Sequence, residues 1–541
     1  MTRCSLKSLM PETLVKKVCA SVLATLALAV SSHAIAQNAG GTMVMIAQPE
    51  PPSLAPYLST SGPIGLVAPK IYSGLLDYDL QLNPIGDLAE SFDISEDGKT
   101  MTFNLRKGVT WHDGEPFTSA DVQFSIMEVL KKFHPRGPNT FREVNSIDTP
   151  DELTAVFNLE RPAPYMLRAF SAYESPIVPK HLLEGKDVRE ADLSNNPVGT
   201  GPFKFVEWKK GQYIRLDKNP DYWKKGYPLL DRIVARVIPD ASTRTAAMES
   251  GEVHYGAFGA IPNVDVIRLR DFDEIGVTTD GYAMINPMAL IEFDVTKPPF
   301  DSKAMRQAIS LAVDRQFMID NIWFGYGKPA TSAMTSNYAP LGLYTPTANY
   351  PSTADVPAAI ALLDAAGIKP DADGVRATAV IDLIPYGEEW RRVGEYLKQS
   401  LGDIGVKLEL RYEDVPTWLK RVYADYDFSL NINYFYQLPD PVIGVQRHYG
   451  TDQIRQGTPF VNSARYSNAR VDELLEAGAV EANADKRGAI YAELQNILAD
   501  ELPVVNLFEM EFLTVYSEKL KDHTVSAMGP YGSFDRAYLD K

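Results

Sequence analysis

The chain has 541 residues, 45% of them hydrophobic and 23% charged, with a formal net charge of −17 at pH 7. These are the proportions of a soluble globular protein, and 36 Gly with 38 Pro are too few for a disordered or collagen-like chain. The basic residues form no dense cluster, so nucleic acid is not an expected partner; at about 150 residues per domain, three to four structural units are expected.

Residues 1–36 read as a secretory leader. Arg3, Lys7, Lys16 and Lys17 make a basic start. The apolar run Val18–Val30 follows, broken only by Ser21 and Thr25 and too short to span a hydrocarbon core of ~30 Å. Ala34-Ile35-Ala36 fits small-x-small cleavage, which predicts an exported protein starting near Gln37. Both cysteines, Cys4 and Cys19, lie in the leader, so the exported chain cannot mispair in an oxidising compartment.

Mixed α and β structure is expected beyond it. Met43–Ala47 reads as a buried strand. Ser91–Arg106 reads as a hairpin: Phe92 and Ile94 alternate with polar residues, Asp97-Gly98 turns, and Met101, Phe103 and Leu105 alternate again. Thr118-Ser-Ala-Asp121 resembles a capping box ahead of helically spaced Val122, Ile126, Val129, Leu130 and Phe133. Strand and turn follow over Gly201–Leu216. Asp301 and Asp355 are predicted to cap helices, the second stopped by Gly367. Trp390, Val393, Leu397 and Leu401 form a stripe at helical period. Strands are expected at Val406–Arg411 and around Phe428, Leu430 and Ile432, then helices over 469–481 and 486–500 and the apolar run Val504–Phe508. This alternation predicts an α/β lobe.

Catalytic signatures are scarce. There is no His-Glu-x-x-His helix, no Gly-x-Ser-x-Gly elbow and no phosphate-cradling loop. Past the leader, His112, His134, His181, His254, His448 and His523 are not paired at metal-ligand spacing. Asp93-x-Ser95-x-Asp97-Gly98 opens like a calcium loop, but its twelfth position is Asn104, so a hairpin turn is the better reading. His112 and Asp113 are neighbours in Trp111-His-Asp-Gly114; on a strand they would face opposite ways, and a turn is expected. No catalytic residue, metal ligand or cofactor is assigned, and the protein is not read as an enzyme.

Several blocks resemble one family. Leu88-Ala-Glu-Ser-Phe92, Asp97–Gly108 and Trp111–Val122 are similar to the signature of the dipeptide/oligopeptide/nickel family of extracytoplasmic solute-binding proteins of ABC importers. Pro197–Phe203, Asn219–Trp223, Pro299–Ile309 and Tyr466–Asp472 continue the resemblance in order along the chain. It implies an α/β, two-lobed periplasmic-binding-protein fold with a hinge and an extra subdomain on the N-terminal lobe. Lobe I would comprise 37–82, 196–285 and 509–541, the subdomain 83–195, and lobe II 286–508. Chain crossings are expected near Met284–Asp294 and Val504–Phe512. The implied function is a periplasmic, monomeric receptor that closes on a solute and delivers it to the transmembrane subunits of an ABC permease.

The ligand is read from departures. In dipeptide binders of the family an Asp three residues before an Asp-Pro holds the ammonium, and an Arg before a Pro-Tyr holds the carboxylate. Here the Asp-Pro is Asp440-Pro441 and the position is Gln437; the Pro-Tyr is Pro385-Tyr386 and the position is Ile384. A free zwitterionic dipeptide is therefore disfavoured, and Gln437→Asp is expected to alter ligand preference more than fold stability. Candidate ligand-binding residues are Tyr57, Ser59, Thr60, Ser61, Tyr386, Arg391, Tyr434, Tyr436, Gln437 and Asp440. Phe435 between the tyrosines is the candidate core member. Oligosaccharides, opines or metal chelates are alternative ligands, and a secreted hydrolase is the competing function.

Overall fold

The computed structural model describes residues 40–540. The leader reading and its cleavage near Ala36-Gln37 lie outside them. Two mixed sheets organise the described chain. The first has seven strands in the order Ile275–Thr278, Thr514–Ser517, Tyr255–Gly256, Thr42–Ile46, Arg232–Arg236, Tyr213–Lys218, Phe203–Lys209. The second has six: Gly327–Pro329, Val504–Met510, Pro287–Phe293, Leu430–Tyr436, Ala377–Leu383, Val406–Arg411. A four-stranded antiparallel sheet, built from Ala89–Ile94, Thr100–Leu105, Thr154–Leu159 and Val144–Asp151, shares the core of the first.

Central strands of the second sheet are covered on both faces. Every residue of Pro287–Phe293 and Val504–Met510 is buried, which explains their largely apolar sequences. Leu430–Tyr436 departs from the expected alternation for the same reason: Asn431 and Asn433 are buried beside Ile432. They bond Glu292, whose carboxylate also accepts from Ser463 Oγ at 2.6 Å. Burial pushes the Glu292 carboxyl up to about 7.

The Ser91–Arg106 hairpin is present, and Met101, Phe103 and Leu105 point inward. Ile94 stays exposed because Ala89–Ile94 is an edge strand. Asp97 accepts from Ser95 Oγ and Lys99 N–H, so it closes the turn. Thr118 N–H donates to Asp121 at 2.9 Å as the helical run Ser119–Gln123, Phe124–Leu130 and Lys131–Phe133 begins. Asp355 caps Val356–Ala365, but the cap expected from Asp301 is supplied by Ser302, whose Oγ accepts from Met305 N–H. The stripe Trp390, Val393, Leu397 and Leu401 is the buried face of helix Glu388–Gly402.

The chain passes between the two large sheets through 279–286 and 511–513. The expected crossing ranges overlap these passages but run on into the strands. A groove of about 390 Å³ lies against them, lined by Asp280, Gly281, Tyr282, Asn286, Glu511 and Phe512 among others. On another side the bodies meet through polar contacts beside the buried apolar side chains of Val442, Ile443 and Ala479, which join the core of the first body. Arg142 and Arg161, from the four-stranded region, reach Glu476 of helix Ala469–Val480 at 3.0 and 2.5 Å, and Asn139 Nδ2 donates to Val442 O at 3.4 Å.

Candidate functional site

Side chains from both bodies converge between these contacts. Tyr434 and Tyr436 are alternate residues of one strand, so they share a face, with ring centroids 5.8 Å apart. Trp390, at the start of helix Glu388–Gly402, stacks on Tyr434 at 5.6 Å and 12°, and Tyr386 meets it edge-on at 6.2 Å. Phe435, on the opposite face, is buried against His448 at 3.7 Å. Its core role follows from the same alternation.

The facing wall comes from the first body. Tyr173 and Tyr531 stack at 4.3 Å, and Phe258 lies 4.9 Å from Tyr531. Tyr173 Oη donates to Thr60 O at 3.0 Å. Helix Gly62–Val67 supports the pair from behind. A Cβ at Gly65 would stand 2.6 Å from the Tyr173 ring and 2.9 Å from that of Tyr531, so glycine is required for this approach. Phe512, in a crossing passage, touches both walls: it is 5.5 Å from Phe258 and 6.2 Å from each of Tyr434 and Tyr436. Burial, then the neighbouring phenol of the same wall and next those of the facing wall, hold Tyr436 and Tyr531 protonated far above the ordinary tyrosine range.

One buried ion pair edges this cluster. Arg136 Nε donates to Glu174 at 2.8 and 3.0 Å, and its Nη2 donates to the same carboxylate. Burial alone would raise Glu174; Arg136 outweighs it and holds the carboxyl below its usual range. The Arg136 guanidinium also lies over the Tyr173 ring at 5.6 Å. Arg447, from the second body, faces this pair. Burial first, then the like charge of Arg136, lowers it to about 10.

The structure distributes the sequence candidates unevenly. Tyr434, Tyr436 and Tyr386 belong to the cluster, although Tyr386 is 43% exposed. Thr60 joins through its carbonyl, with Ser59 and Ser61 half-buried beside it and bonded to each other. Tyr57 is fully buried behind them, edge-on to Tyr72 at 6.3 Å. Arg391 is on the surface, 4.5 Å over Tyr412 and 3.7 Å from Glu388.

Gln437 and Asp440 are corrections. Gln437 is 1% exposed; its Oε1 accepts from Thr335 N–H at 2.8 Å and its Nε2 donates to Ala333 O at 2.9 Å. The amide is consumed in holding one loop of its own body. Asp440 is fully buried and paired through both oxygens with Arg487 at 2.8 Å. Counting three residues back from Asp440-Pro441 placed Gln437 at the ligand, with Asp440 beside it, but both side chains turn into the protein. Ile384, at the other departure, is 1% exposed.

No local signal in the sequence marks Tyr173, Glu174, Arg136, Phe258, Tyr531, Phe512 or Arg447. They sit on loops or short helical turns without periodicity, and only tertiary folding joins them. Trp390 was legible as part of a helical stripe, though not as a stacking partner.

The remaining chemistry is dispersed. His112 Nε2 contacts Gly201 O at 3.0 Å, whereas Asp113 pairs with His181 at 2.8 Å. Burial lowers His112, His134 and His523 to about 4. Among the described residues no group of three or more His, Cys, Asp or Glu side chains could hold a metal ion.

Two sheet-based lobes, joined by two passages and facing one another over an aromatic cleft, define a two-lobed binding protein. Residues 83–456 match the family described as bacterial extracellular solute-binding proteins, family 5 Middle, and the chain belongs to that family. Di/tripeptide-binding protein 1 of Pseudomonas aeruginosa is 26% identical over 525 residues, covering 92% of this chain and 94% of that one. Among solved structures, the ABC transporter substrate-binding protein CtaP of Listeria monocytogenes superposes with a TM-score of 0.80 at 26% identity, covering 93% and 100% of the two chains. AgaA of A. tumefaciens, solved with agropinic acid, gives 0.77 at 25% identity over 93% and 99%.

Proposed function

We propose that this protein is a periplasmic receptor that closes its lobes on a peptide-like or other small polar solute and delivers it to an ABC-type inner-membrane permease. The observation that carries the reading is the tyrosine cluster contributed by both walls of one cleft: Tyr434 and Tyr436 against Tyr173 and Tyr531. A ligand touching both walls stabilises the closed arrangement over the open one. Aromatic faces take rings or apolar side chains, and phenol hydroxyls fix orientation.

In this reading lobe I comprises 37–82, 196–285 and 509–541, the extra subdomain 83–195 and lobe II 286–508. Tyr386, Tyr434 and Tyr436 are ligand contacts, and Ser59–Ser61 form the rim beside Tyr173. The protein acts as a monomer after cleavage near Ala36-Gln37, without a catalytic step. A free zwitterionic dipeptide is disfavoured because Glu174, the acid placed at this cluster, is already held by Arg136. The family relatives named for di/tripeptides and solved with agropinic acid bracket the ligand classes to be tested.

The test begins with mass spectrometry of solute released from protein purified without refolding. That solute is then added back during small-angle scattering. A smaller radius of gyration at saturation is expected; an unchanged radius would refute closure.

A further inference from the structure

Arg447 is a cation without an acid. It lies on the short helix Gln446–Tyr449, just beyond the strand that carries Tyr434 and Tyr436. Its Nε donates to Gly444 O at 3.2 Å and its Nη2 to Tyr436 O at 2.8 Å. Both partners are neutral carbonyls, and Nη1 makes no hydrogen bond among the described residues. Among them, no carboxylate comes within 4.0 Å of its guanidinium. The acid facing it, Glu174, is engaged through both oxygens by Arg136. The group therefore consists of two guanidinium ions and one carboxylate, packed between lobes in a protein whose net charge is −17.

Burying an unpaired charge is expensive, and an interior normally supplies a counter-ion. Arg447 nevertheless keeps partial solvent contact, although it sits deep between the lobes. Its free nitrogen is therefore open to something that enters the cleft. The planar fork of a guanidinium matches a carboxylate.

We propose that Arg447 is the anion anchor of this cleft, and that the solute it receives carries a carboxylate and no free ammonium. A carboxylate on Nη1 would complete the hydrogen bonding of Arg447 and balance the excess charge. An ammonium at this position would meet Arg136 and Arg447 with the acid beside them, Glu174, occupied. The ring or side chain of the same solute would lie against Tyr434 and Tyr436. This inference rests on reading the cleft as the ligand site.

The probes are N-acetyl-tyrosine, N-acetyl-tyrosinamide, glycyl-tyrosine and a panel of sugar acids and N-carboxyalkyl amino acids, titrated by calorimetry against the full exported chain. Blocked acids are expected to bind at least about tenfold more tightly than their amides, the range of a lost charged hydrogen bond. Arg447→Gln should erase that preference while Arg447→Lys keeps part of it, with unfolding midpoints reporting that both variants fold. Equal binding of acids and amides, retention of the preference in Arg447→Gln, or failure of every acid to bind would each overturn the proposal. Tyr436→Trp, which enlarges a ring on the aromatic wall of the cleft, separates the two readings. If it leaves binding intact, the cleft itself is wrong; if it blocks binding while Arg447→Gln changes nothing, only the anchor is wrong.

Discussion

Replacing Gln437 by Glu changes one atom and, by the geometry above, attacks the fold. Oε1 can still accept from Thr335 N–H, but the second oxygen would replace an N–H that donates to Ala333 O at 2.9 Å. Two acceptors would then face each other with no water between them. The variant escapes by keeping a proton on the carboxyl, which restores the donor. A glutamate ordinarily ionises near pH 4.3, and each pH unit above that costs about 1.4 kcal/mol, so holding the proton costs about 4 kcal/mol at pH 7 and about 1 kcal/mol at pH 5. The sign is that of a raised folded-state pKa: the variant matches the parent below about pH 4 and loses stability as pH rises. Urea unfolding of parent and variant at pH 5, 6 and 7 reads this directly. A uniform small loss, or none, accompanied by an altered ligand profile would return Gln437 to the ligand site and refute the reasoning.

Two further outcomes follow from buried charges. Arg487→Met should cost about 3–5 kcal/mol by stranding the Asp440 carboxylate, with ligand affinity retained in the folded fraction; Asp440→Asn in the same chain should recover part of the loss in denaturant titrations. A ligand-specific defect with an unchanged unfolding midpoint would contradict the structural role of that pair. Glu292, raised to about 7 with only Asn431, Asn433 and Ser463 at its oxygens, stabilises the fold when protonated and loses that contribution as pH climbs through 7. The melting temperature should therefore fall from pH 5 to pH 8, and Glu292→Gln should flatten the slope. Asp77 and Asp87, raised to about 6 and about 7, titrate in the same window and leave a residual slope.

Much of the scaffold could be read from local pattern. The 91–106 hairpin, the capped helix Val356–Ala365 and the stripe on Glu388–Gly402 each announce themselves within a short stretch of chain, because period and turn chemistry are local properties. Leu430–Tyr436 shows the limit. Its alternation correctly put Tyr434 and Tyr436 on one face and Phe435 on the other, but alternation does not say that the Asn431 and Asn433 side would also be covered. Gln437 fails for a related reason: one residue past the strand the period no longer applies, and an offset counted from Asp440 carries no side-chain direction. Arg136, Glu174 and Arg447 meet only because three distant segments pack together, and nothing near any of them in the chain records the meeting.

Arg142 and Arg161 on Glu476 give the lobes a weak handshake. Pairs this exposed contribute at most about 1 kcal/mol each and fade with salt. A receptor whose halves adhered strongly by themselves would present an empty cleft to its partner in the loaded shape. These charged pairs add little adhesion of their own beside the apolar contact of Val442, Ile443 and Ala479 with the first body, and a solute touching both walls shifts the balance between open and shut. Because the charged part of that contact is weak, the solute's own contacts can make the shape of the molecule a report on what it carries.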